Sequence, residues 1–180
     1  MNKVLFDKAI DYIVEQMKKS DYIAGMFPTL YGRAERHMRY DKGKKIEMPI
    51  IYDNAGEYID ARPSDRIGNS SFWYVHDGQE VLNSGNAPLP KVRARVSVIF
   101  WFGTDVEWRI VEEVKNKLLW TLNNMRLPNG SMTVNRIYEE PENVYEDFTI
   151  TDDQLPYMMH PYGGLRFECE MTVQQECVKE

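Results

Sequence analysis

The chain has 180 residues, of which 43% are hydrophobic and 28% are charged. These proportions are ordinary for a globular protein and exclude a fibre or a wholly disordered chain, and the length suits one domain. The formal net charge of −6 argues against a protein whose whole surface grips nucleic acid, because such binding needs a basic footprint. A local basic patch is compatible with that charge.

The N-terminal residues predict an amphipathic helix over residues 3–18. Apolar side chains recur at helical spacing and charged side chains occupy the other face. The apolar stripe consists of Phe6, Ile10, Ile13, Val14 and Met17. The charges interrupt the apolar run that a signal peptide requires, and no segment approaches the ~18 apolar residues of a membrane-spanning helix. We therefore expect an intracellular protein that makes no use of a membrane.

The two cysteines, Cys169 and Cys177, lie eight residues apart on one predicted strand. Along an extended chain this spacing is roughly 25 Å, which is too far for a disulfide. We expect both thiols to be reduced.

Residues 20–47 lack clean periodicity and are punctuated by glycine and proline. This pattern predicts a long extended loop with a short strand near residues 26–31. Long loops inside compact domains are usually functional, and this one is basic. We expect a contact arm whose candidate residues are Arg33, Arg36, Arg39, Lys44 and Lys45.

From residue 48 the pattern becomes that of β-structure. Residues 48–52 and 57–61 flank a run of turn formers and predict a hairpin. Residues 71–76 predict a short aromatic strand, whereas residues 83–90 are turn formers and predict a loop. Residues 92–102 alternate at first and then become apolar on both faces, which predicts a central strand covered on both sides at its far end.

The C-terminal half adds a second helix and further strands. Residues 104–107 have the form of a capping box and open a helix predicted over residues 105–124. Strands follow at residues 131–140, 148–151 and 165–174. In the last of these, the alternation predicts an apolar inner face and a solvated outer face that includes Arg166.

This order of elements predicts one α+β domain spanning residues 1–180. We expect a mixed, mostly antiparallel sheet with the two amphipathic helices packed on one face. Long loops complete the domain, namely the basic segment 20–47 and the acidic region 139–162.

The sequence contains no recognisable catalytic signature. His37, His76 and His160 are dispersed and lack metal-ligand spacing, and no nucleophile-elbow or phosphate-binding glycine pattern is present. The acidic stretch 139–153 lacks the spacing of a calcium loop. We predict no catalytic residues, no metal site and no cofactor.

Several aromatic residues lie outside the apolar faces that the predicted elements need for their own core. Trp120 falls on the polar side of the second helix, and the aromatic run Phe72, Trp73 and Tyr74 places large rings on both faces of one strand. Such side chains are either covered by the chain's own loops or form the centre of an interface with a partner. We treat these four residues as candidate interface residues.

The layout resembles the tail-terminator (tail-completion) and related minor tail proteins of long-tailed bacteriophages and prophages. The matching features are the helix at 3–18, the hairpin region at 48–76 and the strand VRARVSVIFWFGTD at 92–105. The helix at 105–124 and the last strand, GGLRFECEMTVQQE at 163–176, complete the match. It is a resemblance of element order, length and acidic charge over most of the chain.

The resemblance implies a structural virion protein without enzymatic activity. It would form a homo-oligomeric ring, commonly hexameric, that caps the tail tube and joins it to the neck or connector proteins. Assembly in the bacterial cytoplasm and residence in the virion follow, and nucleic acid would at most pass through the lumen of the ring.

Two alternatives belong to other classes. The basic segment 33–45, together with Tyr31 and Tyr40, could form a small module that binds a ligand or single-stranded nucleic acid by charge and stacking. An enzyme without a sequence signature would instead be marked by a pocket with converging ionisable groups.

Overall fold

A computed structural model of the protein describes residues 5–52, 56–82, 89–104 and 109–174. Its helices are α1 (Leu5–Lys18), α2 (Asp21–Met26), α3 (described over Arg109–Asn124) and the single turn α4 (Pro141–Val144), with a 3₁₀ turn at Leu155–Met158. Its strands are β1 (Thr29–Asp41), β2 (Lys44–Tyr52), β3 (Tyr58–Asp60), β4 (Ser70–Val75), β5 (Glu80–Leu82), β6 (Lys91–Gly103), β7 (Gly130–Tyr138) and β8 (Tyr162–Gln174).

The strands form one sheet in the order β3-β2-β1-β4-β6-β8-β7, and β5 also pairs with β6. Only the β1–β4 pair is parallel among the described strands. Strand β6 pairs with β8 along its whole length, from Lys91 opposite Gln174 to Gly103 opposite Tyr162. The predicted fold class, a mixed and mostly antiparallel α+β structure, is confirmed.

One face of the sheet packs against the long helices, and we call it the helix face. The α1 stripe predicted from the sequence is buried, and Val114, Leu118 and Leu122 of α3 are fully buried in the same core. Full burial of an aliphatic or aromatic side chain is worth about 1.5–3 kcal/mol. One-sided burial therefore explains why helical periodicity located both helices.

The opposite face is covered by the segment between β7 and β8, residues 139–161, which we call the cover segment. Its Val144, Tyr145 and Phe148 are buried against Phe72 and Tyr74 of β4. The Phe148 ring lies 5.8 Å from that of Phe72 and 5.2 Å from that of Tyr74, both in edge-on geometry. A second apolar core therefore lies on this face, and we call it the cover face.

The prediction of a loop over residues 20–47 was wrong. The segment contains helix α2, capped by the Ser20 hydroxyl, and the long hairpin of β1 and β2. Lys42 and Gly43 both have positive φ, 47° and 78°, as in the two-residue type I′ turn that matches strand twist. Residues 35–45 are exposed on both faces, so no alternation of apolar and polar side chains marked the strands.

The strand predicted at residues 148–151 was also wrong. Thr149 N–H donates to the Glu47 carbonyl over 2.8 Å, but the Glu47 N–H donates to the Thr149 hydroxyl rather than to its carbonyl. The Thr149 carbonyl instead accepts a 2.7 Å hydrogen bond from Arg62 Nη1. The Thr149 hydroxyl and the Arg62 side chain thus take the places of backbone partners, and the segment does not form a regular ladder with β2.

Other predicted elements agree with the structure within a few residues. The hairpin of residues 48–61 is formed by β2 and β3, whose turn residues 53–55 lie outside the described residues. Most of the predicted loop 83–90 and of the capping box also lies outside them. The far end of β6 is covered on both sides, as predicted, with Ile99 on the cover face and Phe100 on the helix face.

Candidate functional site: exposed surfaces and a buried polar cluster

The hairpin of β1 and β2 leaves the sheet as a two-stranded arm. Strand β1 pairs with β4 only as far as Ala34, and from Glu35 to Asp41 it pairs with β2 alone among the described strands. We define the arm as residues 35–45, all of which are exposed. The predicted contact segment is therefore a preformed β-projection and not a loop.

The arm carries cations without local partners. Arg39, Lys42 and Lys44 make no ion pair with any described residue, whereas Arg36 lies 3.3 Å from Asp77 and Lys45 lies 2.6 Å from Glu47. Arg33, predicted as part of the contact arm, is instead 26% exposed at the root of β1 and bonds Asp7 of α1 over 3.1 Å. Its role here is to join α1 to the sheet.

Two apolar side chains are exposed on the same arm. Met38 is 51% exposed and Tyr40 is 72% exposed. They are two residues apart on β1 and therefore share one face of the hairpin. Arg39 and Lys44 lie on the opposite face. Exposed apolar surface on such a projection is typical of a surface that contacts a partner.

Trp120 is 69% exposed on α3, so it is not covered by any described loop of its own chain. The exposed residues around it on the helix are polar, among them Asn116, Asn123 and Asn124, and the Asn124 amide bonds the Trp120 carbonyl. Its assignment as an interface residue stays a prediction.

The other three candidate interface residues lie inside the protein. Phe72 is 2%, Trp73 is 0% and Tyr74 is 5% exposed. Trp73 belongs to the helix-face core, and the other two pack under the cover segment. Strand β4 carries aromatic rings on both faces because a core lies on each side of it. The assignment of these three residues to an interface was therefore wrong.

A buried polar cluster lies beside that second core. His76 Nε2 is 2.8 Å from the Ser97 hydroxyl, and Arg166 Nε donates to the same oxygen over 3.0 Å. Arg95 Nη2 lies 3.1 Å from His76 Nδ1, and Asp147 Oδ1 lies 3.7 Å from that nitrogen. A serine, a histidine and an aspartate thus stand in the order of a catalytic triad.

The protons are arranged differently from those of a triad. A guanidinium group can only donate, so the bond from Arg95 makes His76 Nδ1 the acceptor and places the ring proton on Nε2. The Ser97 oxygen then accepts from both His76 and Arg166. Because a general base must accept the serine proton, His76 does not activate Ser97, which is also fully buried.

Electrostatics agree with a neutral imidazole. Burial, followed by the nearby guanidinium groups of Arg95, Arg166 and Arg36, lowers the pKa of His76 to about 3. Burial raises the pKa of Asp147, and the positive charge of Arg166 opposes that rise. The cluster therefore carries its positive charge on arginine side chains at neutral pH.

Arg166 fastens the cover segment to the sheet. It is fully buried, and its Nη2 and Nη1 lie 2.7 Å and 3.2 Å from carboxylate oxygens of Glu146 and Asp147. It also donates to the Asn143 carbonyl over 3.2 Å. The sequence predicted Arg166 on a solvated face, which was wrong because the cover segment lies on that face. One feature of the sequence could have indicated this contact. Residues 139–153 are rich in acidic side chains, and basic side chains on the strands could pair with them.

Concave sites on the described surface are small. A cleft of about 250 Å³ lies between α1 and the β8 end, lined mainly by Leu5, Ala9, Tyr12, Leu127 and Val173. Its lining is largely apolar and suits a small apolar group. Within the described ranges, no group of three or more histidine, cysteine or acidic residues is placed to hold a metal ion. Cys169 is a buried free thiol whose pKa burial raises to about 12, and Cys177 lies outside the described residues.

No protein-family model matches the sequence, and the curated proteins include no significant match. Among the described helices, none combines the length and the apolar character needed to cross a membrane.

Proposed function

We propose that this protein is a structural subunit of a bacteriophage or prophage tail, a tail-terminator or tail-completion protein that forms a ring. The ring would cap the tail tube and join it to the neck, with assembly in the bacterial cytoplasm. The proposal rests on the resemblance in element order and on the surfaces described above. It assigns the chain no catalytic residues.

The observation that carries the proposal is the exposed arm. A ring built from identical subunits needs two different patches on each subunit, and these patches must meet by rotation. The arm supplies one such patch, with Met38 and Tyr40 exposed on one face and Arg39 exposed on the other. Trp120, on a helix packed against the helix face, is a separate candidate for contact with a subunit or a neighbouring tail protein.

The test is the oligomeric state of the purified protein. Sedimentation velocity over a hundredfold range of concentration, followed by negative-stain imaging, should give one defined oligomer and ring-shaped particles. A protein that stays monomeric throughout, or that forms only open fibres, would contradict the proposal.

A second candidate function is favoured by the same arm. Unpaired cations and an exposed Tyr40 are also suited to holding single-stranded nucleic acid by charge and stacking. In this case a fluorescent oligonucleotide should bind with an affinity that falls steeply with salt. Loss of that binding in an Arg39→Glu, Lys44→Glu variant, with the wild type monomeric, would favour this candidate over the ring.

A further inference from the structure

The charge of the protein is divided between two separate surfaces. The arm, residues 35–45, contains five Lys or Arg and two acidic residues. The cover segment, residues 139–161, contains seven acidic residues and no Lys or Arg. A chain with a net charge of −6 thus concentrates positive charge at one projection and negative charge at another surface.

Some carboxylates of the cover segment form ion pairs with other described residues, and others do not. Glu139 pairs with Lys115, and Glu146 pairs with Arg166. In contrast, the exposed residues Asp152 and Asp153 make no ion pair with any described residue. The same is true of Glu140 and Glu142. The outer side of the cover segment therefore presents uncompensated carboxylates.

Exposed apolar side chains accompany these carboxylates. Leu155, the first residue of the 3₁₀ turn that follows Asp153, and Met159, just after that turn, are 51% and 68% exposed. On the arm, the exposed Met38 and Tyr40 lie on one face of the hairpin, and the unpaired Arg39 and Lys44 lie on the other. The two surfaces thus carry unpaired charges of opposite sign.

We propose that the arm of one copy docks on the cover segment of a second copy. Arg39 and Lys44, which share one face of the hairpin, would meet Asp152 and Asp153. This contact rests on the proposed ring and identifies its two patches. The contact joins two different patches, so it is heterologous when it passes from each copy to the next, and rotation can close it into a ring. A reciprocal exchange of arms between two copies would instead give a two-fold dimer, and a dimer as the only oligomer would contradict the proposed ring.

The arm does not use its own cover segment for this contact. Within one copy, the backbone of Glu47 in β2 forms hydrogen bonds with Thr149 of the cover segment. Glu47 lies opposite Met38 in the β1–β2 pairing. From that level the arm extends roughly 13 Å further to its turn, at about 3.3 Å per residue. The cations of this outer part stay exposed, so they are available to a second copy.

Charge reversal on each surface tests the proposal. The arm variant is Arg39→Glu with Lys44→Glu, and the cover variant is Asp152→Lys with Asp153→Lys. All four side chains are exposed, so folding should be unaffected, and circular dichroism and thermal melting check this. Arg66→Glu with Arg126→Glu is the matched control, because it also reverses two exposed cations that make no ion pair with the described residues.

Sedimentation velocity of these variants should separate them clearly. We expect each reversed variant alone to associate at least tenfold more weakly than the wild type, and the control to associate like the wild type. An equimolar mixture of the arm and cover variants should recover association, because acidic arms then meet basic cover segments. The quadruple variant should recover association for the same reason.

Each other outcome contradicts a distinct claim. Undiminished association of the arm variant, or of the cover variant, would overturn the docking proposal and leave the ring intact. Loss of association in both variants without recovery in the mixture would also overturn it, as would an equal loss in the control. A monomeric wild type would overturn the proposed ring itself, and oligonucleotide binding lost in the arm variant would then assign the arm to nucleic acid.

Discussion

The cover face and the arm both carry many charges, but only those of the cover face are largely compensated within the subunit. Under the cover segment, Arg166 is fully buried and its donors reach carboxylates, a hydroxyl and a carbonyl. On the arm, Arg39 is exposed and makes no ion pair with the described part of the chain. A buried charge must be compensated within the subunit, whereas an exposed charge is free to be compensated by another molecule.

The largest effect on stability is expected at Arg166, whose charge is compensated inside the subunit. In an Arg166→Met variant, Asp147 and its acidic neighbours lose the buried cation that compensates them, and breaking a buried pair in this way costs about 3–5 kcal/mol. We expect a fall of this size in the free energy of unfolding, measured by urea denaturation. Arg39→Met on the arm is the control and should change it by less than about 0.5 kcal/mol. Equal effects of the two substitutions would show that the Arg166 charge is no more important for folding than the exposed Arg39 charge.

The stability of the protein should depend on pH through the buried His76. The pKa of His76 is lowered to about 3 in the folded protein, against about 6.5 for an unperturbed histidine. The folded state therefore binds fewer protons, so its stabilisation is complete above pH 6.5 and is lost as the pH falls toward 3. Between pH 7 and pH 5 we expect a loss of about 2 kcal/mol, at 1.4 kcal/mol per unit of pKa shift.

His76→Gln isolates that contribution, since other groups also titrate in this range. The raised pKa of Asp147 acts in the opposite direction, because a folded state that binds an extra proton gains stability as the pH falls. Urea denaturation of both proteins at several pH values should give a shallower dependence for His76→Gln. Parallel curves for the two proteins would show that His76 does not titrate as described.

A smaller effect is expected where the cover segment meets the root of the arm. Thr149→Val removes the hydroxyl that accepts the Glu47 N–H and keeps the side-chain shape. A lost hydrogen bond of this kind costs about 1 kcal/mol, which urea denaturation can resolve. Thr121→Val on α3, whose hydroxyl bonds a carbonyl in its own helix, is the control and should have little effect.

The smallest effects on stability are expected at the exposed aromatic residues. Tyr40→Ala and Trp120→Ala should each change the free energy of unfolding by less than about 0.5 kcal/mol, because both side chains are exposed in the subunit. Strong destabilisation by either substitution would mean that the side chain is covered within its own subunit.

Sequence patterns located the elements that are buried on one side. Helix α1 was predicted because the same residues that repeat at helical spacing face the core. Strand β6, which is buried on both sides at its far end, was predicted from the run of apolar residues that follows its alternation. The arm was missed because both of its faces are exposed, which removes any alternation from the sequence. Periodicity therefore reports burial, and it cannot report a strand that contacts nothing in its own subunit.

The buried polar cluster was missed for a different reason. Alternation correctly placed Arg166 on the face opposite the core residue Phe167, but the cover segment that buries Arg166 lies about twenty residues earlier in the chain. Likewise, the sequence predicts Phe72 and Tyr74 as surplus aromatic surface, because their partner Phe148 is distant in sequence. These contacts depend on how the chain folds back over the sheet, and local patterns do not contain that information.

The mass of the wild-type protein in solution tests the central claim most directly. If exposed charge and apolar surface on the arm are used between copies, sedimentation velocity at about 100 µM should give one discrete species with a mass several times that of the 21.2 kDa chain. A single species at the mass of one chain, unchanged at higher concentration and at low salt, would contradict the account.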